Sequence, residues 1–284
     1  MYESFYGFRE KPFHVTADPA FLYLSSQHQE ALSHLLYGIR ERLGFIVIVG
    51  EVGTGKTTLA KSLIQRLQEP TRTALILNPA LNGTQLLQAI LRDFEGEPAG
   101  SVPPDRQNPE TKNRGPLLMA IERFLIRQAS TQGTAVVVID EAQALSAAAL
   151  EQVRLLSTVE TTKTKLLQIV LIGQPELDHR LTQDSRLRAL RQRIAVHYRI
   201  QPLNTQEVAA YIQHRLQVAG PDATVLFTPG ALERIAEISR GLPRSINQIC
   251  DQALLAGFVR ETHEINETVL EEALSPAYQP SAQP

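Results

Sequence analysis

Short runs of aliphatic and β-branched residues recur through the first two hundred positions, separated by stretches with helical spacing. FIVIV at 45–49, TALILN at 73–78, AVVVID at 135–140, LLQIVLI at 166–172 and IAVHYRI at 194–200 read as buried strands. Between them, Thr57 to Leu67, Thr84 to Phe94, Leu117 to Gln128 and Leu150 to Val159 repeat their apolar residues at helical period. A strand covered on both sides has no solvent face, so its apolar run is continuous rather than alternating. Such strands spaced by helices predict a parallel sheet with helices on both faces. Ahead of the first strand, residues 26–42 put Ala31, Leu32, Leu35, Leu36 and Ile39 on one helical face. Prolines and glycines crowd residues 95–116, which predicts a mobile surface loop.

After Pro202 the strand signals stop. Asn204-Thr205-Gln206-Glu207 has the form of a capping box, opening a helix to about Val218. Thr228-Pro229 supplies an N-cap and a first-turn proline for a second helix, Gly241-Leu242-Pro243 precedes a third, and Asn266 caps a fourth. The expected division is therefore an α/β domain over 1–202, including an N-terminal extension, and an all-helical domain over 203–275. Residues 276–284 read as a disordered tail.

Composition narrows the class. Hydrophobic residues make up 43% and charged residues 20% of 284, which is globular and excludes disorder over most of the chain. The single cysteine, Cys250, can form neither an internal disulfide nor a zinc site, and it falls within the apolar pattern of INQICDQALL, so a core position is expected. No apolar run approaches the roughly 20 residues of a membrane span, and MYESFYGFREKPF lacks the apolar stretch of a secretory signal. A reducing, cytoplasmic location is the expectation. The net charge of −2 argues against a globally basic nucleic-acid binder while leaving a local basic patch open.

One segment carries specific chemistry. GEVGTGKT, from Gly50 to Thr57, satisfies G-x-x-x-x-G-K-[ST] at every fixed position and lies between a strand and a helix, as that motif requires. Its glycines let backbone N–H groups curl around phosphate oxygens, and the helix that follows adds its positive end. The expected contact set is Gly50, Glu51, Val52, Gly53, Thr54, Gly55, Lys56, Thr57 and Thr58. Lys56 is expected to reach the β- and γ-phosphates of ATP and Thr57 to ligate Mg²⁺. AVVVIDE places Asp140 and Glu141 at the end of a later buried strand, where ligands of open parallel sheets collect. Asp140 there would hold a metal-bound water and Glu141 would polarise the attacking one, which indicates hydrolysis.

Other residues are less specific. Gln174, just after the strand LLQIVLI, reads either as a polar contact to the γ-phosphate or as an ordinary loop glutamine. Arg180, Arg186, Arg188, Arg191, Arg193 and Arg199 crowd one segment. They read as a solvated basic face, as a phosphate-binding patch, or as the source of an arginine finger offered to a neighbouring subunit. Arg193 is the first choice for such a finger, with Arg191 and Arg188 behind it. Arg244, in Gly241-Leu242-Pro243-Arg244, could fold over the nucleotide or simply begin a helix. No H-E-x-x-H, G-x-S-x-G or close Cys/His spacing points to zinc or serine hydrolase chemistry.

In this order the elements resemble an AAA+ ATPase, a P-loop NTPase sheet followed by a small helical lid. More closely, YGFREKPF, DPAFLYLS, GFIVIVGEVGTGKTTL, VVVIDEAQ, IVLIGQPEL, LRQRIAVHY and GLPRSINQICDQALL resemble the ATPase module of the general secretion pathway protein A family. Pilus-biogenesis ATPases and, more distantly, TnsC-type transposition ATPases are related. The resemblance implies Gln174 as the first sensor, Arg193 as the finger and Arg244 as the second sensor. It also implies a homo-oligomeric ring using ATP and Mg²⁺, serving a secretion or pilus machine. The family's membrane span and peptidoglycan-binding region are not in this sequence, so peripheral attachment through a separate inner-membrane partner is expected. The alternative reading is a DNA-binding ATPase that regulates transposition.

Overall fold

Parallel strands form where the sequence is most continuously apolar. In the computed structural model, which describes residues 1–14, 18–77, 81–96, 114–161 and 164–275, five strands make one sheet. They are β1 (Phe45–Gly50), β2 (Thr71–Ile76), β3 (Thr134–Ile139), β4 (Leu167–Gly173) and β5 (Ile194–Ile200). The order is β2-β3-β4-β1-β5, with every pairing parallel. All five lie where the apolar runs placed them. β1 and β4 are buried along their whole length, whereas the edge strand β5 alternates, as an edge open on one side must.

The chain divides into two compact units. One comprises Gln27–Gly50 and Leu59–Ile200; the other comprises Met1–Ser26, Glu51–Thr58 and Gln201–Pro284. In the first, α4 (Gly83–Glu95), α5 (Arg114–Ser130) and α6 (Ala147–Leu156) place Leu86, Ile90, Ile121, Leu125 and Leu150 in a core with Phe45, Val47 and Val49 of β1. Ile46 alternates to the opposite face and meets Gly38 of α2 (Ser26–Arg40). An Asn82–Gln85 capping box starts α4. Near its end, Asp93 accepts the Leu75 N–H at 2.9 Å, and burial raises its carboxyl pKa. The expected loop lies mostly at 97–113 and the expected tail at 276–284, both outside the described residues.

The second unit contains α9 (Thr205–Ala219), α10 (Pro229–Ser239), α11 (Pro243–Val259) and α12 (Glu267–Ala273). Asn204, Thr228 and Asn266 each accept a first-turn N–H, as their positions predicted. Two departures stand out. First, the part after Pro202 is not wholly helical: Leu226–Phe227 and Glu264–Ile265 form a short parallel pair. Two-residue strands leave no periodic signal to read. Second, the N-terminal segment, grouped on sequence with the nucleotide-binding domain, contributes its aromatics to the helical core. Tyr2, Tyr6, Phe8, Phe13 and Phe21 cluster with Ile212, Ile246, Cys250, Leu254 and Leu270. The Tyr6 hydroxyl donates to the carbonyls of Leu254 (3.1 Å) and Thr262 (3.2 Å), and burial pushes its pKa up to about 12. Cys250 is fully buried there, which raises its thiol pKa well above the ordinary value and suits a core role.

This segment is pinned by Arg215, which is 4% exposed. Its guanidinium donates to the Pro12 carbonyl, to the His14 carbonyl at 3.1 Å and to the Tyr211 hydroxyl at 3.1 Å. It also lies 4.7 Å from the centre of the Phe21 ring. Among the described residues no carboxylate pairs with it, so carbonyl oxygens and aromatic faces replace its lost hydration.

Gly241 has φ +70, and a Cβ there would come within 1.9 Å of the Leu203 carbonyl oxygen. Gly241→Ala is expected to destabilise the protein by about 2–4 kcal/mol, combining left-handed strain with overpacking. An unchanged urea midpoint would contradict this.

Candidate nucleotide site

β1, β4 and β3 lie side by side, with Val49 in register with Gly173 and Leu171 with Ile139. Three strand ends that carry candidate residues, Gly50, Gln174 and Asp140, are therefore neighbours in the sheet order.

Beyond Gly50, the loop Glu51–Thr58 belongs to the helical unit. Gly53 and Gly55 take φ +84 and +87. Left-handed residues of this kind turn successive backbone N–H groups toward an anion, and glycine adopts the conformation without steric cost. Three donors converge on the Glu51 carbonyl: the Lys56 ammonium at 2.7 Å, the Thr54 hydroxyl at 2.9 Å and the Thr54 N–H at 3.3 Å. The ammonium thus lies within the loop's own curl, with Lys56 only 5% exposed. Helix α3 begins at Lys56 and runs to Arg66, which puts Thr57 and Thr58 in its first turn, where the helix dipole is positive.

Arg244 lies against this loop. Its N–H donates to the Gly53 carbonyl at 3.3 Å, and a Cβ on Gly53 would stand 2.7 Å from the Arg244 Cβ. The G-x-P-R turn is therefore not merely a helix start.

In the sheet unit, Asp140 is 2% exposed; its N–H donates to the Ile76 carbonyl and its carboxylate accepts the Glu141 N–H, both at 2.9 Å. Glu141 has φ +52, a left-handed conformation that non-glycine residues seldom adopt and that clusters at functional sites. Its Oε2 accepts the side-chain amides of Gln174, at 2.9 Å, and of Gln143. The Gln143 Oε1 in turn accepts the Gln174 N–H at 3.0 Å. Gln174 starts α7 (Pro175–Gln183), from which Arg180 donates to the Gln143 carbonyl. The sequence singled out Glu141 and Gln174 separately, and the structure brings their side chains together. Sequence reasoning gave Gln143 no role. It also missed α7, although Pro175 at the first position and Glu176 and Asp178 in the first turn signal a helix start.

The arginine segment is dispersed. Arg186 pairs with Asp184, and Arg191 donates to the Thr182 carbonyl at 3.0 Å. Arg193 donates to the Ser157 hydroxyl at 3.0 Å. Near it, the Glu151 carboxyl is held below its usual pKa, first by the Arg154 guanidinium and less by Arg193. Arg188, on α8 (Arg188–Arg191), is exposed, and its guanidinium makes no hydrogen bond or ion pair among the described residues.

The AAA domain family model matches residues 39–181, from the end of α2 into α7. The chain belongs to the AAA family of P-loop ATPases. It is 45% identical over 267 residues to General secretion pathway protein A of Aeromonas hydrophila, covering 93% of this chain and 46% of that protein. The chain thus spans about half the length of this relative. The Aeropyrum pernix ORC2 protein has the same fold with a TM-score of 0.67 at 18% identity, covering 95% of this chain and 72% of that one. The Thermotoga maritima RuvB branch migration motor aligns at 0.56 and 20% identity, covering 87% and 67%.

The side chains suit the nucleotide and magnesium that such a family implies. A curled loop with a buried ammonium matches a polyphosphate. Thr57 carries a hydroxyl and Asp140 a buried carboxylate, each an oxygen ligand of the kind magnesium takes. Among the described residues no helix is long and apolar enough to cross a membrane.

Proposed function

We propose that this chain is a Mg²⁺-dependent ATP hydrolase that works as a homo-oligomer and energises assembly of a secretion or pilus machine. The observation that carries hydrolysis is the Glu141 carboxylate, oriented by two amides at the end of β3, with β4 between it and β1, the strand that feeds the phosphate loop. Gly50 to Thr58 would bind the phosphates, with Lys56 neutralising the β- and γ-oxygens. Magnesium, held through Thr57 and Asp140, would neutralise charge on the phosphates. Glu141 would orient and deprotonate water for in-line attack, Gln174 would hold that geometry, and Arg244 would report the nucleotide to the helical unit. The similarity to General secretion pathway protein A supports the secretion client.

A finger from a neighbour completes this reading. Arg193 was favoured by position, but its guanidinium is engaged within its own chain, whereas that of Arg188 is unengaged among the described residues. We therefore place Arg188 ahead of Arg193. Arg188→Ala is expected to hydrolyse ATP poorly alone and to regain activity when mixed with Glu141→Gln, since each supplies what the other lacks. Turnover per protomer should also rise with protein concentration. Concentration-independent turnover without rescue would refute a shared site. Duplex DNA added to the same assay tests the transposition reading, which predicts several-fold stimulation that disappears at high salt.

A further inference from the structure

We infer that Gln143 is a positioning residue for hydrolysis, fixing the Glu141 carboxylate and the backbone of Gln174 as one unit; this rests on the hydrolytic role proposed for Glu141. Glu141 follows a buried strand in a left-handed conformation. That turn starts the short helix Ala142–Ala144 and brings residue 143 back beside residue 141. From there the Gln143 amide uses both of its ends. Its Nε2 donates to Glu141 Oε2 and its Oε1 accepts the Gln174 N–H at 3.0 Å.

The amide therefore bridges the ends of β3 and β4. Gln174 closes the circuit with its own side chain, donating to the same Glu141 oxygen at 2.9 Å. The Gln143 backbone is held as well, because Arg180 of α7 donates to its carbonyl. Both donors take Oε2, while Glu141 Oε1 accepts no hydrogen bond among the described residues. An unbridged carboxylate at a left-handed residue could rotate about its side-chain bonds. With Oε2 fixed by two amides, Oε1 keeps one direction and is the atom offered to water. A loss of aim of this kind lowers the rate of the chemical step more than it changes substrate binding.

Only an amide serves both functions of this bridge. Alanine removes donor and acceptor. Glutamate keeps the size and the acceptor for the Gln174 N–H, but it sets a second carboxylate against Glu141 and removes the donor. Like-charge repulsion would then turn the Glu141 carboxylate away rather than hold it. A fall in kcat without a matching change in KM separates such a loss of aim from a merely structural change.

The test is steady-state ATP turnover of the full chain with Mg²⁺, alongside a direct nucleotide-binding titration, for wild type, Glu141→Gln, Gln143→Ala and Gln143→Glu. Gln143→Ala is expected to lose at least about tenfold in kcat with KM for ATP within about twofold of wild type. Gln143→Glu, which keeps the volume and the acceptor but removes the donor, should lose kcat to a similar extent with KM likewise little changed. If Gln143→Ala no longer binds nucleotide, the isosteric Gln143→Glu decides. Wild-type kcat in either nucleotide-binding variant overturns the inference. Glu141→Gln separates the two levels. If it turns over like wild type, the hydrolytic reading fails and this one with it; if it is inactive while both Gln143 variants behave as wild type, only the role of Gln143 falls.

Discussion

Glu141→Gln is expected to lower ATP turnover by about 10²–10⁴-fold, the usual contribution of a positioned general base, with nucleotide affinity nearly unchanged. The substitution keeps the side-chain volume and leaves an oxygen to accept from Gln143 and Gln174, whose amides now meet at Oε2. What it removes is the ability to take a proton from water. The proposed phosphate contacts, Gly53, Gly55 and Lys56, belong to the other compact unit and owe their local geometry to the Glu51 carbonyl and the glycine conformations. Binding and chemistry should therefore separate. Steady-state turnover together with the affinity for a fluorescent ATP analogue measures both, and turnover within about threefold of wild type would remove Glu141 from the role.

The second large effect is on stability. Arg215→Ala should destabilise the helical unit by about 3–5 kcal/mol, because charged hydrogen bonds are lost and buried acceptors are left unmet. The Pro12 and His14 carbonyls would lose their donor, the Phe21 ring its cation, and the Tyr211 hydroxyl one of its two partners, the other being Asn247 at 2.8 Å. A guanidinium meets these groups at once because its donors point in fixed, divergent directions; lysine has a single nitrogen and should rescue only part of the loss. Urea denaturation gives the free energy, and hydrogen exchange gives the location, with faster exchange expected across Tyr2–Tyr6. A loss below about 1 kcal/mol with unchanged exchange would show that the segment is held by its aromatics alone.

Much of this was readable from residues alone, for physical reasons. The three inner strands were legible because burial on both faces removes polar residues from the run, as in FIVIV and LLQIVLI. Helix starts at Asn204, Thr228 and Asn266 were legible because capping is a local bargain between a side chain and N–H groups two or three positions away. The phosphate loop was legible because its chemistry lies in eight consecutive residues. Gln143 was not, because its role depends on the left-handed turn at Glu141, and no residue type there announces it. Nor was the attachment of the N-terminal aromatics: Tyr6 and Leu254 are 248 positions apart, and long-range pairing leaves no spacing in the sequence. The arginine segment was legible as a cluster only, since which guanidinium finds an internal acceptor depends on Ser157 and Thr182, brought near by folding.

The same distance between Tyr6 and Leu254 has a consequence for how the protein is made. Residues 2–21 leave the ribosome well before the residues they pack against, with six aromatic side chains whose partners lie from Leu203 onward. The sheet unit, complete at Ile200, can fold while synthesis continues, but the aromatic segment waits until its partners, as far as Leu270, have been made. At a synthesis rate of about 5–20 residues per second, that wait lasts on the order of ten seconds or more. During it the nascent chain carries an exposed aromatic stretch, which makes this segment the natural point of capture for a chaperone and the first place where slowed translation would lead to aggregation.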